Sequence, residues 1–315
     1  VEKIKVAVLM GGKSAEREIS LKTGQAVVEH LDREKYDIFP FEVPSSGKFS
    51  LPPKTDLIFI ALHGPYGEDG TIQGLLEMLG IPYTGSGVLA SALGIDKIVS
   101  RQLFSSLGLT VPKSLVFSLG DDYSSFIRDF SSFISFPCVV KPHNQGSSVG
   151  VSLVEGEAGL KEALALALSF PRAKALVEEY LSGREVTCGI LGNSGAQPYC
   201  LPLTEITPQG QHRFFDWQAK YQAGESEEIT PAPLAEGLAQ RVRQDSLQAY
   251  EALGAQGLAR VDGILVGESF YLLEINTIPG MTEISLLPQQ ARAAGLSFSN
   301  LLNRIIQLAL ETETP

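Results

Sequence analysis

The chain has 315 residues, 44% of them hydrophobic, and a formal net charge of −11. That length supports a full core in two or three domains, and the acidic balance argues against a nucleic-acid or anionic-membrane surface, so that any anion must be met by local cations. Cys138, Cys188 and Cys200 are too few and too odd in number for a disulfide framework and fit a cytoplasmic protein; no run is long enough for a membrane-spanning helix.

The opening stretch, Val1 to Met10, is a short apolar strand without signal-peptide layout, and the lack of an initiating Met fits a trimmed chain or one excised from a longer fusion. Lys5 to Met10 reads as a buried strand, Gly11 to Ser14 as a turn, and Glu16 to Leu31 as a helix with Ile19, Thr23, Ala26, Val27 and His30 on one face. A second apolar strand, Asp56 to Leu62, runs into a loop from His63 to Gly70 and a helix from Thr71 to Leu79. Strands alternating with helices predict an α/β fold with a mainly parallel sheet, and ligand loops then lie at the carboxyl ends of its strands, where His63 and the Gly11-Gly12 turn fall.

A second block opens near Lys97 with a helix from Ile98 to Leu107. Strands at Pro112 to Phe117 and Phe136 to Lys141 flank another helix, and a helix from Leu160 to Ser169 precedes a strand from Ala175 to Glu178. The third block, from about Gly183, carries strands at Val186 to Leu191, Tyr199 to Ile206, Leu258 to Val266 and Phe270 to Asn276. Its helices run from Leu234 to Leu253, Ile284 to Ala294 and Phe298 to Glu311. The blocks predict domains at 1–97, 98–182 and 183–315.

The last two strands carry the strongest chemical signal. Gly267-Glu268-Ser269 reads as a three-residue hairpin loop. If Val266 faces Phe270, Asp262 stands opposite Glu274 and Arg260 opposite Asn276, all on one face of the ribbon. Opposed carboxylates about 5 Å apart repel, and hard cations relieve such clusters, Mg²⁺ typically with one or two carboxylates plus substrate phosphates. The other reading is a solvated hairpin face on which the acids meet by chance.

Four further constellations each admit a chemical and a plain reading. Lys141, ending a strand beside Gly146-Ser147-Ser148, can give phosphate an ammonium and several N–H groups, or be a surface lysine at a Gly/Ser turn. The segment Glu178-Glu179-Tyr180-Leu181 to Glu185 can offer adenine main-chain bonds and ribose a carboxylate, or be a soluble connection. The stretch from about Thr207 to Thr230, holding Trp217, Lys220 and Tyr221, lacks a core pattern and reads as a lid or a surface insertion. Glu16 can receive a substrate ammonium or simply favour the dipole of the helix it opens. Neither a P-loop nor a Gly-x-Gly-x-x-Gly fingerprint follows the first strand.

Taken jointly and in order, these pieces resemble the D-alanine:D-alanine ligase family over nearly the whole chain: Gly11 to Glu18, Leu62 to Gly70, Tyr83 to Val88, Asp96-Lys97, Val140 to Pro142, Gly146 to Gly150, Lys220-Tyr221, Arg260 to Asp262 and Glu274 to Thr282. The resemblance implies an ATP-grasp fold behind an N-terminal parallel-sheet domain, with ATP as substrate, Mg²⁺ or Mn²⁺ as the ion, and ligation of two D-alanines for peptidoglycan in a homodimeric cytoplasmic enzyme. It places Lys97, Lys141, Glu178, Tyr180, Leu181, Glu185 and Lys220 on ATP, and Asp262, Glu274 and Asn276 on the metal. Glu16, with Ser147 and Tyr221, receives the first D-alanine, near His63 and Glu68. Ser285 and Leu286 hold the second carboxylate, and Arg260 with the Gly280 N–H meets the oxyanion. Two positions depart from common members: Tyr180 replaces a frequent tryptophan, and Ile278 fills a variable slot before Pro279. The alternatives are a D-alanine:D-lactate or D-alanine:D-serine ligase, against which the Lys220-Tyr221 lid argues, and a nucleotide-binding module of a fused cell-wall protein.

Overall fold

A computed structural model describes residues 3–52, 54–208 and 226–312. The first unit is the three-stranded parallel sheet that alternation predicts. Its strands are β1 (Ile4–Gly11), β2 (Tyr36–Val43) and β3 (Leu57–Ile60), in the order β2-β1-β3. Helix α1 (Arg17–His30) joins the first two strands, while α2 (Thr71–Leu79), α3 (Val88–Ile95) and α4 (Lys97–Ser106) follow the third. From Val6 onward β1 is apolar and buried because both its faces are covered. Val6 and Val8 pack with α1, and Ala7 and Leu9 pack with Ile72 and Leu76 of α2.

The second unit is a four-stranded antiparallel sheet, β4 (Ser114–Phe117), β5 (Cys138–Pro142), β6 (Ser152–Val154) and β7 (Ala175–Glu179), in the order β4-β7-β5-β6. Helices α5 (Tyr123–Phe133) and α6 (Glu157–Leu168) share its core through Phe126, Phe130, Leu160 and Leu164. The third unit holds β8 (Arg184–Leu191), β9 (Tyr199–Cys200), β10 (Thr204–Pro208), β11 (Ser226–Ile229), β12 (Leu258–Val266) and β13 (Ser269–Asn276). They are antiparallel in the order β11-β10-β8-β12-β13, with β9 beside β8. Helix α7 (Glu236–Leu253) packs on this sheet through Val242, Ala249 and Tyr250.

The last helices, α8 (Leu286–Ala293) and α9 (Phe298–Glu311), bridge that sheet and the first. Leu287, Leu301, Leu302, Ile305 and Ile306 join Val6, Val8 and Val27 in one core, so the chain's end closes the first sheet. Periodicity along the chain cannot reveal such a return, because it reports which face is apolar and not what covers it.

The sequence reading left out β2, β6, β11 and α3 and drew Tyr199 to Ile206 as one strand where the chain forms two short ones. β2 is missed because its burial is patchy: Tyr36 and Val43 are covered, while Asp37, Phe39, Pro40 and Glu42 are exposed. Its place comes from pairing with β1 along all eight residues. α4 begins where Asp96 accepts the Ile98 and Val99 N–H groups at 3.0 and 3.1 Å. This is a side-chain N-cap worth about 1 kcal/mol, and it sets the rotation of Lys97 and Arg101, one turn apart on the helix.

Candidate active site

The β12–β13 hairpin pairs Asp262 with Glu274 and Arg260 with Asn276, the register expected from sequence. The route to that register differs. The loop is two residues, with Val266 opposite Ser269, and Gly263 stands opposite Leu272. The pairing then shifts by one between Gly263 and Asp262, leaving Leu273 as an extra residue on β13. Without this β-bulge Glu274 would face Val261 and project into the core, because a one-residue slip turns every side chain to the other face. A glycine is required opposite the bulge: a Cβ on Gly263 would lie 2.3 Å from the Phe270 ring and 2.7 Å from the Tyr271 carbonyl oxygen.

Above the hairpin lies a cavity of about 330 Å³ between the two antiparallel sheets, a size suited to a small ligand. Lys97, Lys141, Glu178, Tyr180, Leu181, Glu185, Asp262 and Glu274 all line it. Of the residues assigned to ATP, only Lys220 lies outside the described residues. Lys97 Nζ sits 2.9 Å from Glu274 Oε2 and donates to the Gln145 carbonyl at 2.7 Å. Lys141 Nζ sits 2.9 Å from Glu178 Oε2, and the other Glu178 oxygen accepts from Arg101 Nη1. Burial alone would raise the Glu178 pKa, but these two cations outweigh it and hold the carboxyl below its usual range. Lys141 is shifted down, by burial first and by repulsion from Arg101 and Lys97, against the attraction of Glu178. A phosphate placed there would stabilise a lysine charge that burial disfavours.

Asp262 is held more fully than the sequence reading anticipated. Arg260 forks onto it at 2.8 and 2.7 Å, Thr187 Oγ1 donates at 2.6 Å and Asn276 Nδ2 at 3.1 Å. These bonds engage all the acceptor capacity of one carboxylate. The Asp262, Glu274 and Asn276 oxygens form a hard donor set that fits a divalent cation such as Mg²⁺, and a cation there competes with the Arg260 fork. Among the described residues no group of three or more His, Cys, Asp and Glu side chains is arranged to hold a metal ion. Mg²⁺ needs none, because it completes its shell with phosphate and water.

At the carboxyl end of the parallel sheet a second polar centre forms. Glu16 is buried at the start of α1, and Ser147 Oγ donates to its Oε2 at 2.5 Å, while Oε1 has no protein partner. A Cβ on either Gly64 or Gly146 would meet that orphaned Oε1 at 2.8 Å, so two loops close directly on it. Ser147 and Ser148 both adopt positive φ, 50° and 57°, a strain that persists where a loop is held for a purpose. His63 lies between Glu68 Oε1 and Thr23 Oγ1, each 3.0 Å away. Burial opposes the imidazolium, yet the bond and charge of Glu68, with Glu16 behind, raise the His63 pKa. The Glu16 pKa is also raised, by burial and then by Glu68. A buried carboxylate oxygen without a partner, carrying a costly charge, has the chemistry to receive an ammonium group.

Ser285 stands at the N-cap position of α8 with its Oγ turned back to accept from the Thr282 N–H at 3.1 Å, and Leu286 opens the helix beside Ile206. A Cβ on Gly280 would come within 3.2 Å of Ser285 Oγ, so both lie in one tight turn. Tyr221 lies outside the described residues. Sequence reasoning missed Arg101, Thr187 and Gln289. Gln289 donates through Nε2 to the Ile284 carbonyl and to Glu228 Oε2 of β11, both at 2.6 Å, tying α8 to that strand. The Asp96-Lys97 pair, whose helix turns Arg101 to the same side, was the available signal for Arg101. Thr187 and Gln289 carry none, since an isolated Thr in a strand or Gln in a helix looks like any other.

Two antiparallel lobes closing on a cavity that sets Lys97 and Lys141 among carboxylates, those of the β12–β13 hairpin included, define a nucleotide-using enzyme of the ATP-grasp kind. The family model described as D-ala D-ala ligase C-terminus matches residues 103–307, and that of the D-ala D-ala ligase N-terminus matches 5–56 and 50–86. The chain belongs to the D-alanine–D-alanine ligase family. It is 44% identical over 308 residues to a D-alanine–D-alanine ligase from Desulforudis audaxviator, covering 98% of this chain and 99% of that one. It is 48% identical over 305 residues to one from Trichlorobacter lovleyi, covering 96% of this chain and 93% of that one. Among solved structures it resembles the Bacillus anthracis D-alanine–D-alanine ligase complexed with ATP, with a TM-score of 0.82 at 35% identity and 98% of each chain covered. It also resembles a D-Ala:D-Ser ligase from Enterococcus faecalis, with a TM-score of 0.85 at 31% identity, covering 98% and 100%.

Proposed function

We propose that this ligase joins two D-alanines at the expense of ATP, through an acyl phosphate, for peptidoglycan. A carboxylate is a poor electrophile, and phosphorylation converts it into one that an amine can attack. Glu16, oriented by Ser147, receives the ammonium of the first D-alanine, with His63 and Glu68 fixing the surrounding loop. Lys97 and Lys141 neutralise the phosphates, Tyr180 and Leu181 flank adenine, and Glu178 and Glu185 serve adenine and ribose. When bound at Asp262, Glu274 and Asn276, Mg²⁺ or Mn²⁺ supplies charge neutralisation of the transferring phosphoryl group. Ser285 and the Leu286 N–H receive the second carboxylate at the start of α8, where a helix N-terminus favours an anion. Arg260 and the Gly280 N–H stabilise the tetrahedral oxyanion. Lys220 and Tyr221 complete the reading as the lid pair.

The observation that carries this reading is the orphaned oxygen of Glu16. It is a buried anionic seat in a chain of this family, whose cavity, with Lys97 and Lys141 and the acidic hairpin in its wall, suits a nucleotide and its metal. Phosphate release with ATP and Mg²⁺, titrating D-alanine, D-lactate and D-serine and weighing the products, tests it. D-alanyl-D-alanine is the expected product, and phosphate release only with D-lactate or D-serine as acceptor would redirect it. ATP binding without amino-acid-dependent release would leave a binding module.

Two predictions belong to this site. Ser147 lowers the Glu16 pKa through its hydrogen bond, so Ser147→Ala raises that pKa further. The pH below which the KM for the first D-alanine climbs moves upward in the variant, as read from KM against pH. An unmoved acid limb would uncouple Ser147 from Glu16. Gln289→Leu cuts the tie between α8 and β11 and is expected to raise the KM for the second D-alanine several-fold, about 1 kcal/mol for one hydrogen bond. The KM for ATP stays unchanged, both being read from steady-state kinetics.

The division we propose is an N-terminal substrate domain, 1–97, a central lobe, 98–182, and a C-terminal lobe with lid and metal site, 183–315, whose last two helices return to the first sheet. A cytoplasmic homodimer is part of the same reading. Among the described residues no helix is long and apolar enough to cross a membrane. α2 and α3 leave Leu75, Met78, Leu79 and Leu89 exposed, an apolar surface suited to a second copy. Met78→Glu is expected to turn a dimer into a monomer in sedimentation.

A further inference from the structure

Arg101 lies on α4, buried, and is not among the residues lining the cavity. Its guanidinium nevertheless reaches both lobes. Nε and Nη2 donate to the carbonyl of Leu273 at 2.9 and 2.8 Å, and Nη1 donates to the Glu178 carboxylate. Leu273 is the extra residue of the β13 bulge. Because the bulge disrupts the ladder there, a partly buried carbonyl is left to find another donor, and the Arg101 fork is that donor. One turn earlier on the same helix, Lys97 pairs with Glu274. α4 thus grips two consecutive residues of β13, by the carbonyl of the first and the carboxylate of the second.

The bulge decides what those residues do. Before it, Phe270 and Leu272 face the core; after it, Ile275 does. The step between them places Leu273 and Glu274 together on the cavity side. Closing the bulge would turn Glu274 to the core face and leave Asp262 opposite an apolar side chain. We infer that Arg101 is a positioning residue that holds the β13 bulge open and so keeps Glu274 on the same face as Asp262 for a divalent cation. The inference rests on the reading of Asp262 and Glu274 as metal donors. Arg101 stands behind the cavity wall and acts through the main chain of Leu273 and through Glu178.

The test is Mn²⁺ binding in the presence of ADP, followed by the electron paramagnetic resonance of free Mn²⁺, for the wild type, Arg101→Met and Arg101→Lys. Methionine keeps the stem and loses every donor; lysine keeps the charge but cannot fork onto the carbonyl while also holding Glu178. Arg101→Met is expected to weaken Mn²⁺ about 10- to 100-fold, the usual cost of losing a group that orients a metal ligand. Arg101→Lys should fall between it and the wild type, and the KM for D-alanine should stay unchanged in both. Native Mn²⁺ affinity in Arg101→Met, with only a lower Tm, would make Arg101 a structural tie and overturn the inference. If Arg101→Met does not fold, native affinity in Arg101→Lys overturns it just as well. A D-alanine KM that rises in step with the Mn²⁺ loss would point to general collapse and also count against it. A wild type that binds no Mn²⁺ with ADP would remove the metal reading itself, a result distinct from any variant difference.

Discussion

Arg260→Ala is expected to lower kcat by two to three orders of magnitude while ATP still binds, because removing one oxyanion donor typically costs about 2.7–4 kcal/mol in the barrier. The structure adds a sign that separates this from a loss of the metal site. Arg260 forks onto Asp262 and competes there with a cation. Its removal leaves Asp262 held by Thr187 and Asn276, so the half-saturating Mg²⁺ concentration should fall or stay level as turnover drops. Steady-state kinetics with Mg²⁺ titrated at fixed ATP reads both quantities. Near-normal turnover would remove Arg260 from the chemistry, and a large rise in the Mg²⁺ requirement would recast it as support for the metal site.

Glu16→Gln should trade function for stability. The Glu16 charge is penalised by burial and by Glu68, and a neutral isostere removes that penalty along with the seat for the substrate ammonium. Leaving the partner of a buried charge unmet costs roughly 2–5 kcal/mol, so the kcat/KM for the first D-alanine should fall at least thirtyfold, with ATP binding unaffected. Stability moves the other way. A group whose folded pKa is raised contributes its stability at low pH and loses it as pH rises through that pKa. The Tm of Glu16→Gln should therefore match the wild type in acid and exceed it increasingly toward neutral pH. Thermal melts across pH decide this, and a variant less stable than the wild type at neutral pH would show that Glu16 is part of the scaffold.

Much of this site was legible because its chemistry sits in short local strings. Glu16 follows the first strand, Lys97 opens a helix beside its capping Asp96, Lys141 ends a strand, and Asp262 and Glu274 interrupt apolar alternation. Each falls where the fold places a loop or a cavity wall. The hairpin shows how such reading can reach the correct pairing by an incorrect path. An assumed three-residue loop gave Asp262 opposite Glu274, whereas a two-residue loop plus a bulge produces that pairing. The Leu272-Leu273 doublet, which breaks the alternation of β13, was the trace of the bulge.

What the sequence determined by itself was the set of apolar strands and helices, the acidic ribbon and the order of the polar loops, because burial periodicity and turn chemistry are local properties. Tertiary structure alone decided which element covers which. α8 and α9 return from the chain's end to close the first sheet, Arg101 reaches across 172 residues to the Leu273 carbonyl, and Ser147 crosses 131 to hold Glu16. These contacts arise from packing whole faces together and from satisfying buried polar groups. A chain read in order carries no measure of either.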